Sequence, residues 1–181
     1  MEKVIYRKAT IEDAYQIEYV GAHSWNESYQ NFMPKDYLKN RINTIANKVE
    51  RAKELLSKTD TYYVAEVDGR VIGIVYVKES LNKDFKEHGY LDSLYVLKKF
   101  QGYGIGKQLF KIAIEEIIKL GYNNMYLECI KENNTINFYK KYRGKIVDIV
   151  DFPIRNFTVE ASIIEFNDLK KIKEELLEND H

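Results

Sequence analysis

The sequence is poor in cysteine and proline, and each scarcity excludes a class of protein. Its one cysteine, Cys129, excludes an internal disulfide and any zinc site built from several cysteines. Because no disulfide framework holds the fold, we expect a reducing compartment and predict a cytoplasmic location. Two prolines among 181 residues leave no room for a long proline-rich linker, so we predict one domain over residues 1–181.

An excess charge of one sign and a long apolar run are also missing. The 28 Lys and Arg residues balance 28 Asp and Glu residues, whereas a general nucleic-acid binder carries a basic excess. No stretch approaches the roughly 18 consecutive apolar residues of a membrane span, and the charged N-terminus has no apolar signal-peptide core. Three scattered histidines form no metal-ligand pattern. We therefore expect no nucleic acid, no membrane and no metal as partner.

Hydrophobic periodicity predicts an α/β fold. The predicted order is strand, two helices, three strands, helix, strand, helix, two strands and helix. The dipeptide Asp68-Gly69 between two apolar runs indicates a β-hairpin, and the strand–loop–helix–strand unit at 90–130 is long enough for a parallel crossover. We therefore predict a mixed, largely antiparallel central sheet with helices on both faces.

Two helix boundaries follow from capping signals. Thr10 is a good N-cap, with Asp13 at the third helical position as a weak capping box. Gly21 is predicted to end or loosen that first helix. The second helical region is predicted to open at Pro34 and to carry an apolar stripe as far as Leu56.

A glycine-rich loop, Gln101–Lys107, lies between a predicted strand and a predicted helix. Its alternating glycines let backbone N–H groups converge on an anion, and the helix N-terminus adds a partial positive charge. The loop therefore predicts a phosphate or pyrophosphate ligand. Its spacing is not that of a P-loop. A dinucleotide-binding oxidoreductase, with Glu128 as the ribose-binding acid, stays a weaker alternative, because that loop normally follows the first strand of a parallel sheet.

The pattern at residues 101–106 resembles the Arg/Gln-x-x-Gly-x-Gly/Ala motif of the GCN5-related N-acetyltransferases (GNAT family). The preceding Leu94–Val96 resembles the strand from which that family binds the pantetheine arm of acetyl-CoA, and residues 138–144 resemble its Phe-Tyr-x-x-x-Gly helix. The element order is similar over nearly the whole chain. The resemblance implies an acyl-CoA N-acyltransferase-like fold, with acetyl-CoA as the acyl donor.

The resemblance also implies which residues contact acetyl-CoA. They lie on the strand, the glycine loop and the start of the next helix: Leu94, Tyr95, Val96, Gln101, Gly102, Tyr103, Gly104, Ile105, Gly106 and Lys107. The family often has an asparagine against the pantetheine arm at the position that Glu132 occupies here. We expect Asn133 or Asn134 to take that role.

Acetyl transfer to an amine needs a neutral amine, a donor to the developing oxyanion and a proton for the leaving thiolate. The resemblance places the hydroxyl of Tyr139 near the sulfur of CoA, and a tyrosine with a pKa of about 10 is protonated at neutral pH. Tyr139 is therefore the candidate acid, the alternative being a ring that only packs.

The candidate base is Asp92, because an acid within an apolar strand is exposed, paired or functional. The string from Tyr90 to Gly106 is similar to diamine acetyltransferases, in which an acid at this position is proposed to take the amine proton.

The acceptor site is predicted from a segment after the first helix and from the end of a strand. Trp25 and Tyr29 lie between the first two helical regions, a segment that walls the acceptor site in the resembling family, and Glu79 ends a predicted strand. We predict that these three residues contact a primary amine on a small molecule or peptide. A homodimer is left open. The alternative function is a CoA-binding sensor or interaction module that has lost catalysis.

Overall fold

The computed structural model describes residues 3–178, and the helices and strands alternate along the chain largely as the periodicity predicts. The elements are β1 Ile5–Lys8, α1 Ala14–Tyr29, α2 Lys35–Asn43, α3 Ile45–Lys58, β2 Tyr62–Val67, β3 Arg70–Glu79, β4 Gly89–Val96, α4 Ile105–Lys119, β5 Met125–Ile130, α5 Ile136–Lys141, β6 Lys145–Ile154, β7 Phe157–Phe166 and α6 Leu169–Glu178. Short 3-10 turns cover Ile11–Asp13, Lys83–Phe85 and Lys98–Phe100. Within the described residues, no helix combines the length and apolar content required to cross a bilayer.

The strands form a seven-stranded sheet in the order β1-β2-β3-β4-β5-β7-β6. Strand β2 is antiparallel to both β1 and β3, and β7 is antiparallel to both β5 and β6. Strands β4 and β5 are parallel, and the connection between them runs through α4. The predicted mixed, largely antiparallel sheet with a crossover at 90–130 is confirmed.

The chain divides into two compact units. The first holds the described residues up to Tyr76 together with Ser93–Ala113, and the second holds Val77–Asp92 together with the described residues from Ile114 onward. The divisions fall inside β3, β4 and α4 rather than at the ends of elements.

In the first unit, helices cover both faces of the sheet. Helices α1 and α3 share one apolar cluster with β2 and β3, formed by Ala14, Ile17, Val20, Ala52, Leu56, Tyr62, Val64, Val71, Ile74 and Tyr76. Gly73 faces the other way, since a Cβ atom built there would lie 3.0 Å from Cδ1 of Leu109 in α4. Helices on both faces are what the sequence predicts.

The β2–β3 connection is the hairpin that Asp68-Gly69 predicts. Both residues have positive φ, +49° at Asp68 and +73° at Gly69. Two consecutive left-handed residues define the type I′ turn, whose twist matches that of the strands. The local sequence alone is therefore sufficient to specify this turn.

One predicted helix boundary is wrong. Helix α1 continues through Gly21 to Tyr29, because the flanking Val20 and Ala22 are both buried and packing outweighs the weak propensity of one glycine. The second helical region opens after Pro34 as predicted, and it is divided into two helices at Thr44, where φ is −105° and ψ is 13°. The hydroxyl of Thr44 donates to the carbonyl of Asn40 at 2.7 Å and closes α2. The capping box of Thr10 and Asp13 is present, on the 3-10 turn that precedes α1.

Gly21→Ala should stabilise the protein. The residue is helical, and no atom lies within 4 Å of a Cβ built there, so alanine adds helix propensity without a clash. We expect the free energy of unfolding to rise by about 0.5–1 kcal/mol in a denaturant titration. The matched control is Gly69→Ala, which has equal space but a φ of +73° and should destabilise. A lower stability for Gly21→Ala would contradict this account of α1.

Candidate active site

The glycine loop leads from the end of β4 into the first turn of α4. Gly102 and Gly104 have φ of +84° and +79°, in the left-handed region, and nothing lies within 4 Å of a Cβ built on either. Glycine is required here by backbone conformation, not by crowding. The side chain of Gln101 donates to the carbonyl of Val96 at 2.9 Å and ties the loop to the strand.

The start of α4 presents backbone donors at the end of this loop. The N–H of Gln108 donates to the carbonyl of Gly104 at 3.0 Å, which is the first helical bond of α4. The N–H groups of Ile105 and Gly106 precede this bond, at the positions where a helix leaves its first N–H groups without an intrahelical partner. Together with the helix dipole, they make the loop an anion-binding arrangement.

Strand β4 carries the segment predicted to bind the pantetheine arm. Its parallel pairing with β5 joins Gly89 to Met125 and Tyr90 to Tyr126, which covers the first two of its eight residues. At the other end of β4, the indole N–H of Trp25 donates to the hydroxyl of Tyr95 at 2.8 Å. The structure therefore brings together Trp25 and Tyr95, which the sequence assigned to different sites.

An aromatic cluster surrounds Trp25 in the first unit. The ring of Tyr29 lies 4.7 Å from it edge-on, and both residues are buried. The guanidinium carbon of Arg41 lies 4.3 Å above the Trp25 ring, and Nη1 donates to the hydroxyl of Tyr37 at 3.2 Å. Sequence reasoning missed Tyr37 and Arg41, although their i, i+4 spacing on a helix is a signal for such a pair.

The second unit holds a cluster of charges on neighbouring strands. The ammonium of Lys78 lies 2.5 Å from the carboxylate of Asp92 and 5.3 Å from the centre of the Tyr90 ring. Asp92 is therefore ion-paired rather than simply solvated. Glu128 of β5 is coupled to both charges: burial raises its pKa, the negative charge of Asp92 raises it further, and Lys78 lowers it.

Glu128 is a functional candidate that the sequence analysis weighed only for a dinucleotide site. Its signal is the one that singled out Asp92, an acid inside a strand whose other residues are apolar or aromatic. A carboxyl group with a raised pKa holds its proton more tightly than an ordinary glutamic acid, and such shifts concentrate at functional sites. Glu79 differs, because it follows Lys78 in β3 and strand side chains alternate between faces. Its side chain is exposed and points away from the face of Lys78.

Tyr139 lies in the short helix α5 and is buried. Its ring packs edge-on against Phe138 at 5.3 Å and against Phe166 at 6.2 Å. The glycine of the motif, Gly144, is needed because a Cβ there would lie 2.8 Å from Ile164, from Phe166 and from the carbonyl of Tyr139. The Phe-Tyr-x-x-x-Gly pattern thus seats the end of α5 against β7.

The asparagine that shapes the start of α5 is Asn133. Its Oδ1 accepts from the backbone N–H of Thr135 at 3.0 Å and from the Thr135 hydroxyl at 2.8 Å. Asn134 is exposed. Nearby, Tyr142 stacks edge-on with Phe138 at 5.0 Å, in keeping with a packing role.

Cys129 is suited to packing and not to nucleophilic chemistry. It is buried in β5, and burial raises the pKa of its thiol to about 12. At neutral pH the reactive thiolate is therefore almost absent.

A sequence profile described as the acetyltransferase (GNAT) family matches residues 20–144, from α1 to the glycine that follows α5. That match covers more than half of the chain. The chain belongs to the GNAT family. It is an N-acetyltransferase, and the resemblance noted in the glycine loop and the Phe-Tyr helix is confirmed.

Individual relatives of this GNAT chain agree with the family. It is 26% identical over 170 residues to the uncharacterized N-acetyltransferase YuaI of Bacillus subtilis, covering 94% of this chain and 96% of that one. It is 32% identical over 79 residues to N-alpha-acetyltransferase 30 of Dictyostelium discoideum, covering 43% and 42%. A structure of the PaiA N-acetyltransferase of Thermoplasma acidophilum in complex with coenzyme A matches with a TM-score of 0.72 and 22% identity, over 91% of this chain and 99% of that one. The predicted acyl-CoA N-acyltransferase-like fold is confirmed.

Proposed function

We propose that this GNAT enzyme transfers the acetyl group of acetyl-CoA to a primary amine of a small molecule or peptide, by direct attack of the amine. The observation that carries the proposal is the loop with left-handed Gly102 and Gly104 running into the N-terminus of α4. The coenzyme A in the PaiA structure supports the same donor. The names of YuaI and N-alpha-acetyltransferase 30 support an amine acceptor.

The residues present fit the pyrophosphate of CoA. Two glycines leave open space above the loop, and the first N–H groups of α4 supply donors to an anion. We assign the pyrophosphate to residues 102–107, and the pantetheine arm to the backbone of Leu94, Tyr95 and Val96. We assign Asn133, whose Oδ1 shapes the start of α5, to the same arm. When bound, acetyl-CoA supplies an activated acetyl thioester.

The proton transfers are assigned to two groups of the chain. Tyr139 donates a proton to the leaving sulfur, because its hydroxyl is protonated at neutral pH. Glu128 accepts the proton of the amine, because Asp92 is already ion-paired to Lys78. Asp92 then acts through Glu128, whose pKa its negative charge raises. With Glu128 ionised, Lys78, Asp92 and Glu128 together carry one net negative charge. This charge favours an ammonium ion as the incoming ligand.

Gly104→Ala tests the cofactor loop, with Gly69→Ala as a matched control. Both glycines have φ near +75°, at +79° and +73°, and open space around a built Cβ. Alanine at either position should cost about 1–2 kcal/mol of strain. Only Gly104→Ala should raise the dissociation constant of CoA in calorimetry, by about tenfold or roughly 1.4 kcal/mol. Equal CoA affinities in the two variants would remove the pyrophosphate from this loop.

Tyr139→Phe tests the acid, with Tyr142→Phe as its control. The change keeps the ring against Phe138 and Phe166 and removes only the hydroxyl. We expect kcat to fall by about 10²-fold against the best acceptor of an amine panel, with CoA affinity retained. Tyr142→Phe should leave both quantities unchanged. A Tyr139→Phe enzyme with wild-type kcat would show that the thiolate leaves without this proton. A wild type that turns over no amine in the panel, while still binding CoA, would favour the inactive CoA-binding module.

The base is tested by comparing Glu128→Gln with Asp92→Asn across the pH range. A base is active when deprotonated, so kcat/KM should rise with pH through the raised pKa of Glu128. Glu128→Gln should lower kcat by about 10²-fold or more and abolish that rise.

Asp92→Asn removes the negative charge that raises the pKa of Glu128, so the same rise should shift to lower pH while a large part of kcat remains. The opposite result assigns the base to Asp92. In that case Asp92→Asn would lose the rate and Glu128→Gln would keep it.

A further inference from the structure

Three aromatic rings pack together in the second unit, beside the charged groups of the candidate site. The ring of Tyr126 is stacked on that of Phe85 with the centres 4.4 Å apart, and the ring of Tyr90 lies tilted against Tyr126 at 4.8 Å. We call these three residues the Tyr126 cluster. The proton transfers proposed above give none of the three rings a role, although Tyr90 lies close to the ammonium of Lys78.

The Tyr126 cluster lies directly before the two acids, on the same face of the sheet. Tyr90 of β4 and Tyr126 of β5 are partners in the parallel register. Because strand side chains alternate between faces, Asp92 and Glu128, each two positions further on, point to the same side as the two rings. Two residues of a parallel strand span roughly 6.6 Å. A ligand with its ammonium at the acids therefore reaches the rings through a short chain.

Phe85 and Tyr90 are the members of the cluster with surface left for a ligand. Both are half-buried, whereas Tyr126, which contacts both, is 3% exposed. The turn that carries Phe85 is fixed to the cluster, because the hydroxyl of Ser80 donates to that of Tyr126 at 3.2 Å and accepts from the backbone N–H of Asn82 at 3.1 Å. Rings held in this way lose little conformational freedom when a ligand binds.

The acid that faces the rings from β7 already has partners. Glu165 is the cross-strand partner of Tyr126, and its Oε1 lies 2.9 Å from Nε2 of His88. Its Oε2 accepts a hydrogen bond from the side chain of Asn167 at 3.0 Å. The ring of His88 lies edge-on against Phe85 at 5.2 Å. A second ammonium at Glu165 would compete with these partners, whereas an apolar group can pack on the exposed part of Phe85.

One ammonium balances the charges on this face. Lys78, Asp92 and Glu128 carry one net negative charge, while Lys145 and Glu165 are cross-strand partners whose charges cancel when the neighbouring imidazole is neutral. A monoamine brings the sum to zero, and the second ammonium of a diamine would add a positive charge beside Lys78. The exposed charges of the turn before β4 also sum to zero; they are Lys83, Asp84, Lys86 and Glu87.

Asp148 does not offer a second ammonium an alternative. It is the β6 partner of Ile163, which is in turn the partner of Glu128, so two strand spacings, roughly 9.5 Å, separate the two acids. Ile163 between them is 3% exposed. A methylene chain from Glu128 to Asp148 would have to lie over a side chain that the protein already covers.

We propose that Phe85 and Tyr90, backed by Tyr126, determine the acceptor specificity and select a primary monoamine that ends in an apolar ring. The inference rests on the proposed function, since the ammonium lies at Glu128 and Asp92. The ring of the acceptor packs on Tyr90 and Phe85, in the edge-on or offset contacts that aromatic pairs prefer. Diamines and simple alkylamines are the disfavoured acceptors.

Acceptor kinetics with three amines test the proposal. Phenethylamine carries the ring, butylamine lacks it, and diaminobutane has a second ammonium in its place. We expect kcat/KM for phenethylamine to exceed that of either other amine by at least about tenfold, which is within the range that apolar pocket contacts give. Equal values for phenethylamine and butylamine, or a preference for the diamine, would overturn the proposal.

Calorimetry separates this inference from the proposed function. The three amines are titrated into the protein saturated with CoA, which carries no acetyl group. Binding of phenethylamine at least about tenfold tighter than the other two, with no turnover of any amine, would support the ring site and overturn the acetyl transfer. Turnover of all three amines with equal kcat/KM would support the transfer and overturn the ring site.

Variants locate the discrimination in the Tyr126 cluster. Phe85→Leu and Tyr90→Leu keep apolar bulk and remove a ring, so each should lower the ratio of the kcat/KM values for phenethylamine and butylamine by about threefold to tenfold. That ratio does not depend on how much of a variant is folded. Tyr90→Phe keeps the ring and should keep the ratio.

Phe157→Leu is the matched control, because Phe157 is a half-buried ring of the same unit at the start of β7, outside the cluster. A ratio lowered as much by Phe157→Leu as by Phe85→Leu would mean that the cluster does not select the ring.

Discussion

The parallel step between β4 and β5 is the constraint on which the rest of the structure depends. Every other strand pairing described above is antiparallel, and a parallel neighbour can be reached only by a crossover that carries the chain back along the sheet. Here α4 is that crossover, and its residues Leu109, Phe110, Ala113, Ile114 and Ile117 are completely buried. Because a crossover helix begins where the first strand ends, the N-terminus of α4 and its first N–H groups necessarily follow the end of β4. The glycine loop thus occupies the place at which topology supplies an anion site.

The charged groups on strands β3, β4 and β5 differ in how far their neighbours compensate their charge. The opposite charges of Lys78 and Asp92 compensate each other at 2.5 Å. Within residues 3–178, Glu128 has no such ion-pair partner, and its pKa responds to burial and to both of these charges at once. In a medium of lower dielectric constant than water, the carboxylate whose charge is least compensated is the one that binds a proton most tightly. The two acids therefore differ in how far a nearby cation compensates their charge. This difference is why we assign the role of base to Glu128 and not to Asp92.

What the sequence could predict was local. The hairpin follows from Asp68-Gly69 because the φ values that it requires belong to those two residues alone, and the glycine loop was recognisable for the same reason. The end of the first helix was misplaced at Gly21, since the burial of Val20 and Ala22 is a tertiary effect. The residue pairs of the candidate site could not be predicted either, because their members are distant in sequence. Trp25 and Tyr95 are 70 positions apart, and only the folded sheet shows that Asp92 meets Lys78.

Because α1 continues through Gly21, it determines which side chains lie together in the first unit. Had the helix ended at Gly21, Tyr19 and His23 could not stand one turn apart and stack at 4.0 Å, and Trp25 would not be carried by the same helix to the hydroxyl of Tyr95. With the helix unbroken, a period of 3.6 residues places Tyr15, Tyr19 and His23 on one stripe and Trp25 on another. One helix therefore contacts the end of β4 with one face and presents an aromatic stripe on another. The modest helix propensity lost at a single glycine is small beside the burial that its two neighbours gain.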